Sequence, residues 1–214
     1  MSTKSIDESL FGRIRRELLQ LFFLNPGRSF FLLELVDILR TGRGGVQREL
    51  SNLVESGIIT REKSGMKVLF SLSESCPITD EMQKLLVKLV DYEDMLSLAV
   101  SDHATFIKTA AMYSPQEGEY SPSLKLLVSC DDSCEEFLKE IKRIELLIGR
   151  KIELMIVRTY ELKEYIRSRT EAQWILNGTW TLLAGTEKDL EPEQIRKESV
   201  ISEPDLFSGT DFSW

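Results

Sequence analysis

The sequence predicts an α+β fold in two units, and three observations carry that prediction. Residues 10–72 set short amphipathic helical patterns before a hairpin pattern, residues 105–184 alternate β-rich runs with helical ones, and one helical stripe from about 79 to 101 joins the two. With 214 residues and 42% hydrophobic side chains, the chain has apolar material for one or two proper cores.

The first helix is expected over 10–24, where Ile14, Leu18, Leu21 and Phe22 share a face and Asn25-Pro26-Gly27 stops it. Ser29-Phe30 reads as a short strand or cap. In the next segment Leu32, Leu35, Val36 and Leu39 recur at i, i+3, i+4 and i+7, the spacing of one buried helix face, and Gly42 is expected to end it. A further helix from about Gly44 to Ser56 turns Val46, Leu50, Leu53 and Val54 inward, and Gly57 closes it. Ile58-Ile59-Thr60-Arg61 and Val68-Leu69-Phe70-Ser71-Leu72 then flank a polar tip containing Ser64-Gly65, the composition of a hairpin.

Helix, turn, helix and hairpin in this order read as a winged helix-turn-helix over residues 1–75. Its second helix suits the DNA major groove: Arg43 and Arg48 can each fork two donors onto guanine, Gln47 and Asn52 can pair with adenine, and Ser51 can serve a phosphate or a base edge. Arg61, Lys63 and Lys67 on the hairpin would meet phosphates. Such modules also dock proteins, so an adaptor that never meets DNA stays open as an alternative. Charge favours DNA. The whole chain carries a net charge of -8, yet residues 10–72 hold ten Arg and Lys against six Asp and Glu, so the excess acid lies elsewhere. Exposed charges beyond about 10 Å are largely screened at 0.1 M salt, which lets a basic module on an acidic body still bind a polyanion.

Residues 76–103 form the expected connecting helix, its stripe marked by Met82, Leu85, Leu86, Leu89, Val90, Leu96, Ala99 and Val100. Part of it is expected to pair with a second copy, since two half-sites multiply a modest single-module affinity, and a homodimer is the expected state. Residues 104–186 then read as α/β: strands at 105–113, 124–129 and 152–157, a helix at 135–148 after Asp131-Asp132-Ser133 and ended by Gly149, helices at 160–168 and 172–176, and a last strand at 179–184. Residues 187–214 mix charges with Pro192, Pro204, Gly209 and serines, the composition of a weakly ordered acidic tail, in which Phe207, Phe212 and Trp214 are apolar anchors.

The stretch from Leu33-Glu34-Leu35 to Gly57-Ile58-Ile59, including Val46-Gln47-Arg48-Glu49-Leu50, resembles the winged helix of ArsR-type repressors, specifically those fused to a minimal nucleotidyltransferase-like domain. Residues 105–185 are similar to that second domain in element order, through the ending Ile175-Leu176-Asn177-Gly178-Thr179-Trp180-Thr181-Leu182-Leu183-Ala184-Gly185. The resemblance implies a transcriptional regulator of double-stranded DNA. Active members of the nucleotidyltransferase superfamily carry Gly-Ser after the first strand and Asp-x-Asp on the second. Here those positions read Tyr113-Ser114 and Ser123-Leu124-Lys125, with Glu153 on the third strand. Lysine and serine cannot chelate magnesium as two carboxylates do. The resemblance therefore implies a scaffold without transfer chemistry, no cofactor, and a second domain that dimerises or takes a protein or small-molecule effector. The enzyme alternative would need Glu153, Asp131 and Asp132 as unusual metal ligands.

Other chemistries find little footing. No phosphate-cradling GxxxxGK[ST] or GxGxxG occurs, and the one histidine, His103, sits in the joint before the second unit rather than beside a nucleophile motif. Cys76, Cys130 and Cys134 are an odd count without a paired framework, which fits a reducing compartment. Cys130 and Cys134 fall at one strand-to-helix corner, where a redox or metal sensor would use them. One histidine and no CxxC leave a zinc site short of ligands, so buried cysteines are expected. Trp174, Trp180 and Tyr165 could line a pocket and are expected in the core. No stretch approaches a membrane span and no secretory signal pattern opens the chain, so a cytoplasmic protein is expected.

Overall fold

The computed structural model describes residues 10–113, 123–176 and 180–191. Ser114, Thr179 and the tail anchors Phe207, Phe212 and Trp214 lie outside the described residues. The chain is mixed α+β with two sheets.

Helix α1 (Arg13–Leu24) starts later than the sequence suggests because Gly12, at φ 71, breaks the run. Leu18, Leu19, Leu21, Phe22 and Phe23 are all buried, far more than one stripe. The reason is position: α1 packs on helices from both halves of the chain, so its middle two turns are covered nearly all round. Strand β1 (Ser29–Phe31) leads into α2 (Leu32–Leu39) and α3 (Arg43–Glu55), and β2 (Ile59–Ser64) and β3 (Lys67–Leu72) form an antiparallel hairpin. β1 pairs with β3, giving a three-stranded sheet in the order β1-β3-β2.

Gly42 does not end α2. The helix stops at Leu39 with Arg40 in the left-handed region at φ 46, and Gly42, at φ −67, caps the start of α3 instead. At this helix end the Arg40 amide donates to the Asp37 carbonyl at 3.3 Å, and its guanidinium pairs with Glu140 across the junction.

The single connecting helix is also corrected: α4 (Thr79–Leu89) and α5 (Tyr92–Asp102) are separated at Val90, which is extended at ψ 114. Asp91 caps α5 by accepting from the Asp94 amide at 3.0 Å. The break follows from packing, because Leu86 fills the first core while Leu96, Ala99 and Val100 fill the second, and one straight helix cannot point into both.

The second unit holds β4 (Ile107–Tyr113), β5 (Ser123–Cys130), α6 (Glu135–Ile148), β6 (Lys151–Val157), α7 (Leu162–Ser168), α8 (Gln173–Leu176), β7 (Trp180–Ala184) and α9 (Glu187–Leu190). Its sheet runs β6-β5-β4-β7, with β5 and β6 parallel and the other neighbours antiparallel. Leu124, Leu126 and Val128 face a core shared with α5 and α6, whereas Ala111 and Leu127 face one shared with α7 and α8. Helices on both faces explain why β5 reads as a continuous apolar run rather than an alternation. The first residues of the expected weak tail are ordered: Thr186 and Asp189 cap α9 reciprocally, and Leu190 is buried.

The two units meet along α1 and α6. The Asn25 side-chain amide donates to the Leu146 carbonyl at 2.7 Å, the Arg143 Nε donates to the Ile38 carbonyl at 2.5 Å, and Leu147 joins the N-terminal core. His103 is structural, its Nδ1 lying 2.7 Å from the Ala99 carbonyl and its ring edge-on to Phe106 and Phe137. Cys76 is buried and free, while Cys130 and Cys134, at the strand-to-helix corner where the sequence placed them together, are joined in a disulfide rather than left as the unpaired buried cysteines expected. Trp174 is buried against Tyr113, and the Trp180 Nε1 donates to the Ile175 carbonyl at 2.9 Å, so these aromatics serve the core. Among the described residues no helix is long and apolar enough to cross a membrane.

Candidate nucleic-acid interface

Helix α3 stands on Val46, Leu50 and Leu53, which are at most 4% exposed, and its thirteen residues span about 20 Å. Anchoring that face turns Gly44, Arg48, Ser51 and Glu55 outward, at i, i+4, i+7 and i+11, with Gln47 and Asn52 on its flanks. Gly45 faces α1, where a Cβ would come within 2.8 Å of the Ile14 side chain, so α1 and α3 approach closely at this point. The eight side chains singled out from sequence, Arg43, Gln47, Arg48, Ser51, Asn52, Arg61, Lys63 and Lys67, are all exposed. Apart from Lys67, none of them makes a side-chain hydrogen bond, ion pair or ring contact with another described residue.

Two features raise the positive potential of this face. Glu49 is half-buried and occupied by the Arg15 Nε at 2.8 Å, so the acid in the middle of α3 is neutralised from behind. The first turn of α3 carries no acidic residue, and Gly42 caps it without a side chain, leaving the leading amides with hydrogen-bonding capacity for an anion. Glu55 lies on the same outer face at the far end, which makes the N-terminal half the cationic one.

The hairpin projects its tip at Gly65-Met66, and Met66 is fully exposed. Arg61 and Lys63 alternate along one face of β2, paired with Phe70 and Val68, while Lys67 belongs to the opposite face. Lys67 is not loose: its Nζ sits 4.9 Å from the centroid of the Phe31 ring. Sequence reading missed Phe31 as this platform and Arg15 as the partner of Glu49. Neither is visible without the β1–β3 pairing and the α1–α3 contact that bring them there.

In the second unit, Ser123, Lys125 and Glu153, singled out on neighbouring strands, come together. Lys125 lies in register beside Glu153, the Ser123 hydroxyl donates to Glu153 Oε1 at 2.5 Å, and Lys125 Nζ lies 5.8 Å from the Tyr113 ring. Asp131 and Asp132 are elsewhere. Asp131 is six residues beyond Lys125 along the strand direction, about 20 Å away, and is occupied in accepting the Thr159 amide at 3.1 Å. Glu153, Asp131 and Asp132 therefore cannot close on one ion.

No protein-family model, curated protein or solved structure matches this chain.

Proposed function

We propose that the chain is a sequence-selective DNA-binding regulator: residues 28–72 act as a winged helix of the ArsR type, α3 enters the major groove, and the hairpin tip rests on the sugar-phosphate backbone. The observation that carries this reading is the outer face of α3 together with the hairpin, where eight polar or cationic side chains are exposed and seven make no side-chain hydrogen bond, ion pair or ring contact with another described residue. An exposed set of unpaired forked donors and amides is what base-edge and phosphate recognition requires. Arg43, Gln47, Arg48 and Asn52 are assigned to bases, and Ser51, Arg61, Lys63 and Lys67 to the backbone.

The second unit serves, on this reading, as a nucleotidyltransferase-like scaffold without transfer chemistry. An ammonium and a hydroxyl beside Glu153 support that, since a divalent cation needs anionic oxygens there. Ile78, Leu85 and Val87 leave apolar surface around α4, which supports pairing with a second copy. Selection of bound fragments from random duplex DNA tests sequence preference and half-site symmetry together. On a selected duplex, log Kd against log salt should have a slope of magnitude about 4–5 for roughly four to six neutralised phosphates. A flat salt response with no enriched sequence refutes the reading in favour of a protein-docking adaptor.

A further inference from the structure

A cleft of about 830 Å³ opens between the two units, walled by α1, the corner between α4 and α5, and α6. Its size falls in the range of small-molecule sites. The floor is unusual for a structural crevice because it carries ionisable groups removed from water: Glu17 is 7% exposed and Glu140 8%. Glu140 is fully engaged, taking Arg40 on one side and the Arg143 Nη1 at 3.0 Å on the other. Glu17 is not. Its Oε1 lies 3.7 Å from Arg13 and 3.8 Å from Arg16, but its Oε2 is buried and accepts no hydrogen bond from a described residue. Burying a carboxylate oxygen without a donor is costly, and burial pushes the Glu17 carboxyl above its ordinary value despite the pull of Arg13, Arg16 and Arg143.

The opposite wall adds acid without partners. Glu93, Asp94 and Asp102 line the cleft and make no side-chain ion pair among the described residues. Six carboxylates against four cationic side chains leave the whole lining net negative. Between these groups the wall is apolar, with Val90, Tyr92, Met95 and Leu98.

We infer that this cleft binds an organic amine, a cationic ligand with an apolar body, whose ammonium is held by the charge of Glu17 at the floor and of Glu93, Asp94 and Asp102 on the opposite wall, while the body lies along Val90, Met95 and Leu98. The site stands independently of DNA binding, since none of its residues belongs to the α3 or hairpin face. An anion is disfavoured by the acid excess, and a bare metal ion would leave the apolar wall without a role.

Titration calorimetry on the full chain tests this with 1,6-diaminohexane as probe and 1,6-hexanediol and hexanoate as controls of the same length. The expected result is saturable binding of one diamine per chain, weakened at least tenfold by E17Q and also by L98W, which fills the mouth. Hexanediol and hexanoate should bind at least tenfold more weakly than the diamine. E17Q keeps the shape of the site and removes only the charge, so thermal melting no lower than that of the parent makes its loss of binding interpretable, and L98W changes a side chain already 63% exposed. Absence of saturable diamine binding, equal affinity for the diol, or an E17Q variant that binds as well as the parent would each overturn the assignment.

Discussion

Gly149→Ala probes the junction between the units more sharply than any core substitution. Gly149 ends α6 at φ 65, and a Cβ there would lie 2.4 Å from the Leu24 Cβ and 2.6 Å from the Leu24 carbonyl oxygen. Two costs add. An L-residue in the left-handed region costs about 1–2 kcal/mol. Relieving contacts with backbone and Cβ atoms, which cannot rotate away as a side-chain tip can, costs about 1–3 kcal/mol more. The sum is about 2–5 kcal/mol, which would lower the urea midpoint by about 1–2 M for an m-value near 2–3 kcal/mol/M. Gly57→Ala is the control, because Gly57 has φ 75 but nothing within 4 Å of the added carbon. It should cost only the first part. Truncating Leu24 to Ala should not rescue Gly149→Ala, since both clashing atoms survive the truncation. Equal midpoints for the Gly149 and Gly57 variants would refute the close approach of α1 and α6.

Arg48→Ala should weaken binding to a selected duplex by about 1–3 kcal/mol and relax preference at one base position, as read by fluorescence anisotropy; unaltered affinity removes Arg48 from the interface. Glu140→Gln should cost about 1–3 kcal/mol in urea unfolding, because Arg40 and Arg143 both lose a charged acceptor, with Arg40 discounted for its 60% exposed side chain. A variant as stable as the parent would mean the ion pairs add nothing to the junction. Glu17→Gln isolates a buried carboxyl whose proton the folded chain holds more tightly than the unfolded one. That contribution is complete below about pH 4.5 and fades as pH rises through the folded-state value, so the variant should gain stability relative to the parent as pH increases from 4 to 8. A gain on acidification instead would reverse the assigned direction.

Local pattern determined much of this molecule before any contact was known. The apolar spacing of Val46, Leu50 and Leu53 fixes which face of α3 is buried, and so why Gln47, Arg48, Ser51 and Asn52 point to solvent. The helix over 135–148 and the strands around 107–113, 123–130 and 151–157 were legible for the same reason. Tertiary structure decided what depends on partners distant in sequence. A stripe of apolar residues cannot say that its two halves serve different cores, so the break at Val90 was hidden. Arg40 finds its partner in Glu140, a hundred residues away in sequence. Glu17 reads as one more charge on an amphipathic helix, and only the packing of α5 and α6 over α1 turns it into a buried carboxyl beside a cleft. Sequence periodicity specifies a face; burial, charge pairing and cavities arise only when faces meet.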